Sequence, residues 1–517
     1  MFISFPFTGS QTYLAFIAWI PLLFLTEHLI HAESKSRHLF LHSYIVFFIY
    51  NLGSTWWIWN ASSGGMIFAV VLNALLMALF IQIYFLLKKH TRSNFGLLLF
   101  LVSWISFEYY HYTWELSWPW LSIGNVFSIH PEYIQWYEFT GVLGGTAWVL
   151  TINYLLFNLI KSTKTENIKH IFKSKLAILI FFIINGPILY SLYRYHQYNE
   201  TKDAVEVVLI QPNINPYTEK FSIDVATQVE KVTNLAKPLI TPKTKIIIAP
   251  ETAISASFWE HSFQQTYISQ YIQQFVSSPP SPLFLCGAST LKYYQEKNST
   301  VSRAIPHEDG FYESYNTSVL FQEKRDASFI HKSKLVLGVE RIPFNTLLPW
   351  LEDLAIDFDG ASGSLGIEKT PKIFKTKELN FTSSVCYESV YGEFIGQQVK
   401  EGAQVVFIIT NDGWWGDTPG YKQHASFARL RAIENRRSIG RSANTGVSCF
   451  INQRGDVISK TNWDEEIAVK QTINKNKKLT FYSRYGDWIG MLASFLFFVS
   501  CVFVVLLKIK RAIKKKS

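Results

Sequence analysis

The sequence predicts a polytopic α-helical membrane bundle joined to an extracytoplasmic α/β domain. Three observations carry this: apolar runs long enough to cross a bilayer, basic residues gathered in alternate connections between them, and a later stretch of short β-branched runs separated by polar helical segments. Over 517 residues, 48% are hydrophobic and only 17% charged, more apolar material than a water-soluble core absorbs. The formal charge of +10 does not indicate nucleic acid, because the basic residues sit in connections and in the tail Lys508 to Lys516, without groove-reading neighbours.

A hydrocarbon core about 30 Å thick needs roughly 20 apolar helical residues. Such runs lie near 12–30, 42–59, 66–87, 95–112, 137–160, 176–193 and 488–508. Lys35 and Arg37 follow the first run, Lys88, Lys89 and Arg92 the third, and Lys161, Lys164, Lys169, Lys173 and Lys175 the fifth, whereas 60–65 and 113–136 hold no lysine or arginine. Lys and Arg accumulate on the cytoplasmic side, so the odd connections face the cytoplasm and the chain emerges outside near Tyr195. The expected organisation is a bundle of about six spans over 1–195, an extracytoplasmic domain over 200–480, and a closing span with a basic cytoplasmic tail over 485–517. The N-terminus lacks the basic opening of a cleavable signal, and MFISFPFTGS is too short to span by itself. WELSWPWLSIGN, 114–125, is either an interfacial aromatic belt or the lining of a path for lipid, and Glu108 is a polar candidate inside the membrane.

From Val205 the pattern changes. VEVVLIQPN, KIIIAPETA, PLFLCGAS, YNTSVLFQ, LNFTSSVCYES, AQVVFIITN and GVSCFINQRGDVIS read as strands, and 222–237, 262–276, 390–401 and 422–436 as helices, an alternation that predicts layered α/β structure. The four cysteines show neither a CxxC nor zinc spacing, so neither a disulfide framework nor a metal site is expected. Cys286, Cys449 and Cys501 lie in apolar runs and read as small buried hydrophobes.

Three residues at strand ends carry the chemistry. Glu251 follows the apolar run IIIAP, where a poorly solvated carboxylate suits proton transfer, although a loop acid fits as well. Lys332, shortly before what reads as the apolar strand KLVLGVE, would set a fixed cation beside developing negative charge, although a lone lysine is usually a surface lysine. Cys386 ends an alternating strand before a probable helix, where a helix N-terminus and a cation would lower its pKa and yield a usable thiolate.

Glu, Lys and Cys in that order, with APETA around Glu251, K-x-x-L-V at Lys332 with Glu340 eight residues on, VCYE at 385–388 and NDGWWGD running into RAIENRRSIGRSANTG, resemble the nitrilase superfamily over about 205–475. With the flanking spans and RYGDW at 484–488, nearly the whole chain resembles the apolipoprotein N-acyltransferases of that superfamily. The resemblance implies an αββα sandwich at the outer face of a bacterial cytoplasmic membrane. It also implies a reaction: an acyl chain passes from a phospholipid, typically phosphatidylethanolamine, through a thioester to the N-terminal amine of an S-diacylglyceryl-cysteine apolipoprotein, with no cofactor. Carried over by position, the nucleophile is Cys386, the base Glu251, the lysine Lys332, and the supporting residues Glu340, Glu388 and Tyr387. Phe221 stands where the family has a loop tryptophan, and LGVE replaces its proline, phenylalanine, glycine, glutamate run. Phe221, Trp414, Trp415 and Trp350 are the substrate-binding candidates; RIPFNTLLPWL, 341–351, and SASFWEHSF, 255–263, either form a rim dipping into the outer leaflet or pack their own loops.

Two other readings compete. A membrane-tethered amidase would use the same triad and release its acyl group to water. A receptor or transporter would keep the domain as a binding module, but paired intramembrane charges, which would favour a transporter, are nearly absent from the spans.

Overall fold

The computed structural model describes residues 1–32, 36–91, 95–163, 174–295, 305–307, 310–344 and 365–516. These divide into two compact units, Met1–Trp59 with Ser63–Gln197 and Tyr485–Ser517, and Asn60–Ser62 with Tyr198–Arg484.

The first unit is helical, and the seven apolar runs become Ile20–His31, Ser36–Thr55, Ser63–Thr91, Gly96–Tyr110, Tyr137–Thr163, Lys175–Gln197 and Trp488–Lys516. Among the described residues, five segments are by length and composition able to cross a membrane: Thr12–His31, Ser63–Thr91, Tyr137–Ser162, Lys175–Gln197 and Trp488–Lys514. Two of the seven expected spans differ. Gly96–Tyr110 has 15 residues, about 22 Å of helix against a core of about 30 Å. Ser36–Thr55 opens on Ser36, Arg37 and His38 and is not among the five. Glu108 is buried and fully engaged, accepting from Trp104 Nε1 at 2.9 Å, Ile123 N at 2.9 Å and Thr146 Oγ1 at 2.6 Å. Trp120, from the tryptophan-rich segment, is 1% exposed and packs on Trp57 and Trp118, so that ring belongs to the interior rather than to a belt.

The second unit is an α/β sandwich of two sheets. The first sheet runs β14-β1-β2-β4-β6-β5, with β3 on β4 and β7 on β6; the second runs β13-β12-β11-β10-β9-β8. The strands of the first are β1 Ala204–Gln211, β2 Thr244–Ile248, β3 Ile254–Trp259, β4 Leu283–Tyr294, β5 Ile305–His307, β6 Gly310–Gln322, β7 Arg325–His331 and β14 Ile467–Asn474. Those of the second are β8 Phe374–Lys375, β9 Asn380–Val385, β10 Val405–Thr410, β11 Ile439–Ala443, β12 Cys449–Ile451 and β13 Val457–Lys460. Successive side chains of a strand point to opposite faces, and β1 uses both. Val205, Val207 and Leu209 meet Phe381, Val385, Phe407 and Ile409 between the sheets. Val208 and Ile210 face the helices Val225–Ala236 and Tyr267–Ser277 through Val229, Val232, Ile268 and Ile272. Cys286 lies in this second core at 0% exposure.

The parallel pairs β1–β2, β2–β4, β9–β10 and β10–β11 turn their C-terminal ends the same way within each sheet, so the residues following β2, β9 and β10 stand at strand ends. Two sequence expectations change. KLVLGVE is not a strand; Lys332 instead follows β7, and Leu337 and Arg341 form an isolated bridge around a turn. In SASFWEHSF, 255–259 belong to β3 while Phe258 and Phe263 pack on the core, which assigns those rings to the interior rather than to a rim. Of RIPFNTLLPWL, the residues beyond Phe344 lie outside the described residues.

Gly287 in β4 allows the turn after β2 to close: its N–H donates to Pro250 O at 3.0 Å, and a Cβ there would stand 2.5 Å from Thr252 N and 2.7 Å from Glu251 Cα. Backbone on that side cannot yield as a side-chain tip can. Gly287→Ala is therefore expected to destabilise the domain by about 1–3 kcal/mol; an unchanged thermal unfolding midpoint in the purified variant would contradict this packing.

Candidate active site

Three strand ends supply the site. After β2, Ala249 N donates to Leu285 O at 2.8 Å and Thr252 takes a positive φ of 51°, which turns the chain at Glu251. After β7, Lys332 is anchored by its own N–H on Asn316 O at 2.8 Å. After β9, Cys386 opens the short 3-10 helix Cys386–Val390, itself at φ 52°. All three side chains are buried, with Glu251 and Cys386 8% and Lys332 1% exposed.

Charge is matched locally. Lys332 Nζ lies 2.8 Å from Glu340 Oε1 and 3.5 Å from Glu251 Oε1. Asn316 Nδ2 donates to those same two oxygens, at 2.9 Å and 2.8 Å, so one amide and one ammonium bridge the two carboxylates. Glu251 Oε2 accepts from Asn411 N at 3.1 Å, and Glu340 Oε2 from Val336 N at 2.8 Å. Burial works against the Lys332 ammonium, but Glu340 and Glu251 more than offset it, and its pKa is raised. The thiol departs from expectation. Burial first and the charge of Glu251 second push Cys386 up, against the opposing pull of Lys332, so the resting side chain is a thiol rather than a thiolate.

Glu388 fastens two of the strand ends together. It accepts from Ser333 N at 2.6 Å and Lys334 N at 3.2 Å on one oxygen, and from Val385 N at 2.8 Å on the other. Tyr387, 4% exposed, sets its ring edge-on to Tyr391 at 5.3 Å. Phe221 is 53% exposed on the loop after β1, and Lys220 Nζ lies 5.8 Å from its ring and 5.5 Å from that of Trp414. Trp414 also meets Tyr217 edge-on at 5.2 Å, and Trp415 meets His424 at 5.6 Å. Trp350 lies outside the described residues.

Sequence reasoning missed Asn316 and a buried layer beneath Cys386. Thr410, the hydrogen-bond neighbour of the Cys386 thiol, donates to Asp412 Oδ1 at 2.9 Å, and Arg441 Nη2 donates to Asp412 Oδ2 at 2.6 Å. His424 Nδ1 lies 3.0 Å from Asp412 Oδ1. Despite burial, Arg441 and His424 hold the Asp412 carboxyl below the usual range. The strand-end signal that selects Glu251 and Cys386 applies equally to Thr410 and Asn411, which close AQVVFIITN, and to Asp412 just after it; His424 sits inside the helix Pro419–Asn435, and its sequence carries no such mark.

Comparison with known proteins divides the chain in the same two parts. Residues 1–155 match the apolipoprotein N-acyltransferase N-terminal domain family and 207–476 the carbon-nitrogen hydrolase family. Among curated relatives, the apolipoprotein N-acyltransferase of Chlorobaculum tepidum is 28% identical over 94% of this chain and 91% of its own length. Those of Haemophilus ducreyi, 27% identical over 82% and 79%, and Rickettsia prowazekii, 26% identical over 93% of each, are similar along the same span.

Burial leads the shift of Glu388, raising it from 4.5 to about 7 against three backbone donors and Lys332. An acid whose folded value exceeds its unfolded one stabilises the fold fully below the unfolded value, and that contribution is lost as pH rises through the folded one. The domain should accordingly lose stability as pH rises from about 4.5 through about 7, and Glu388→Gln should flatten that part of the profile. Thermal melts across this range test it: an equally steep slope in the variant would remove Glu388 as its source.

Proposed function

We infer the reaction from one premise: the chain belongs to the apolipoprotein N-acyltransferases, a membrane branch of the carbon-nitrogen hydrolase family. It is a multi-pass membrane acyltransferase that modifies lipoproteins. The proposed reaction moves an acyl chain from a membrane phospholipid, phosphatidylethanolamine being the expected donor, to the N-terminal amine of an S-diacylglyceryl-cysteine apolipoprotein. The alternate basic connections support an extracytoplasmic catalytic domain and a cytoplasmic C-terminus.

The observation that carries the mechanism is a buried Cys386 at one strand end, influenced electrostatically by a carboxylate and an ammonium, Glu251 and Lys332, that come from two other strand ends and already engage each other. Since Cys386 rests as a thiol, its proton moves to Glu251 while sulfur attacks the ester carbonyl. Lys332 and a backbone N–H stabilise the resulting oxyanion. Collapse breaks the acyl carbon–oxygen bond; the departing lysophospholipid oxygen takes the proton back from Glu251, leaving a thioester on Cys386. The neutral amine of the acceptor then attacks that thioester and gives a proton to Glu251. The carbon–sulfur bond breaks, the sulfur recovers the proton, and an amide is released. A thioester lies uphill of an amide, so the second step needs no energy source. Glu340 holds the ammonium of Lys332 in place, and Phe221, Trp414 and Trp415 are proposed as walls for substrate.

An amidase would need only the second unit. The match over 1–155 and the five candidate spans favour a donor and an acceptor that reside in a bilayer. The test is incubation of the purified full chain with acyl-labelled phosphatidylethanolamine and a diacylated lipopeptide. N-acylated peptide is expected, with an acyl adduct on Cys386 by mass spectrometry when the peptide is withheld. Cys386→Ala should lose both, and Glu251→Gln should slow adduct formation by roughly 10²–10⁴-fold. Free fatty acid with no acylated peptide would instead establish a hydrolase.

A further inference from the structure

The carbonyl of Cys386 is turned into the buried layer, not toward solvent. It accepts from Ser389 Oγ at 2.8 Å and faces His424 Nε2 at 3.1 Å, while Nε2 and Ser389 Oγ are 3.0 Å apart. A carbonyl only accepts, and a serine hydroxyl whose hydrogen is given to that carbonyl presents a lone pair to the imidazole. Both contacts of Nε2 are satisfied together when it carries a hydrogen, and that is the state in which the ring holds the carbonyl. On the other side of the ring, Nδ1 lies 3.0 Å from Asp412 Oδ1 and 3.1 Å from Arg441 Nη2. An imidazolium donates to the carboxylate through Nδ1 and to the Cys386 carbonyl through Nε2 at once; among the neutral forms, the tautomer whose Nδ1 accepts from the guanidinium keeps the Nε2 donor. His424, Asp412 and Arg441 are all 0% exposed.

Fixing this carbonyl fixes the rest of its peptide. The unit is planar, and the Cys386–Tyr387 bond is not among the cis peptides, so the N–H of Tyr387 points opposite to the Cys386 carbonyl. At φ 52° Cys386 occupies backbone space that a residue with a side chain rarely enters, so the conformation persists only where the surroundings hold it.

We infer that His424 is a positioning residue for oxyanion stabilisation: by holding the Cys386 carbonyl inward with Ser389, it aims the Tyr387 N–H outward to where the thioester oxygen develops charge. This rests on the acyl transfer through Cys386 proposed above. The role explains why an aspartate, an arginine and a histidine are buried together directly beneath the nucleophile. Burying charge is costly unless it is paired; Asp412 and Arg441 supply that pairing on the Nδ1 side of the ring, and Nε2 faces the serine–carbonyl pair of the turn at Cys386.

His424→Phe keeps a ring in place and removes the donor; His424→Gln restores an N–H. The full-length protein is acylated with phosphatidylethanolamine labelled with ¹³C at the ester carbonyl, and two quantities are read: the acylation kinetics and the infrared carbonyl band of the thioester. Loss of aim in the phenylalanine variant should slow acylation by about 10- to 100-fold. Donor KM should stay within about twofold, and the thioester band should move to higher wavenumber as its oxygen loses polarisation. Glutamine should recover most of the rate and move the band back. Equal losses in both variants with the band unmoved would mean that His424 only supports the fold, and an unchanged rate in the phenylalanine variant would equally end the inference. Should His424→Phe not fold, Ser389→Ala removes the other carbonyl donor and carries the same two readouts. Wild-type protein that takes no acyl group onto Cys386 overturns the transfer reading itself, and this inference with it.

Discussion

The ammonium of Lys332, sunk to 1% exposure between Glu340 and Glu251, is the interaction on which the candidate site depends. Taking such a charge out of water costs several kcal/mol, and opposite charges in good geometry offset that cost only while every member is present. Removing one partner from a buried pair typically costs about 3–5 kcal/mol, because the survivor is left uncompensated. Asn316 matters for the same reason. Its amide lets two carboxylates share one cation, and a charged side chain in its place would upset the balance on either side.

That cluster also bears on the state of Cys386. A cysteine beside a lysine is ordinarily expected to ionise, but here burial and the Glu251 carboxylate outweigh the lysine. In the proposed reaction, attack by that sulfur therefore waits on the transfer of its proton. For a protein whose proposed donor and acceptor come from a membrane, a standing thiolate would be open to oxidation between turnovers. Beneath it, the layer of Thr410, Asp412, His424 and Arg441 touches both the thiol, through Thr410 and the charge of Asp412, and the backbone of the turn, through His424.

The helical unit shows a related economy with polar groups. Glu108 is satisfied by an indole, a hydroxyl and a backbone N–H, and Glu27 receives Lys88 and Lys161, each at 2.6 Å. Glu108, first weighed as a polar site, is therefore accounted for by packing. Nothing in these contacts asks for transported cargo, in keeping with a bundle that anchors an enzyme.

How much of this was legible in the chain follows from what kind of physics each feature obeys. Partition into lipid, period-two alternation and the placing of a polar residue at the end of an apolar run are local properties. From them the sequence alone determined the helical and α/β parts, most of the central strands such as β1, β2, β4 and β10, and the places of Glu251 and Cys386 at the ends of theirs; Lys332, read as preceding a strand, follows β7 instead. Strands β3, β7, β11 and β14 escaped, because ISASFW, RDASFIH, IGRSA and IAVKQTIN mix polar residues into both faces; in β11 all five positions are buried, Arg441 included, paired with Asp412 from another strand end. Only the tertiary structure decided that Glu340 holds Lys332, that Glu388 binds two loops, that Asn316 spans two acids, that His424 reaches the Cys386 carbonyl, and that the thiol keeps its proton. Each of these depends on which groups meet once water is excluded, and a charge's environment is set by neighbours far away in sequence rather than by the residues on either side of it.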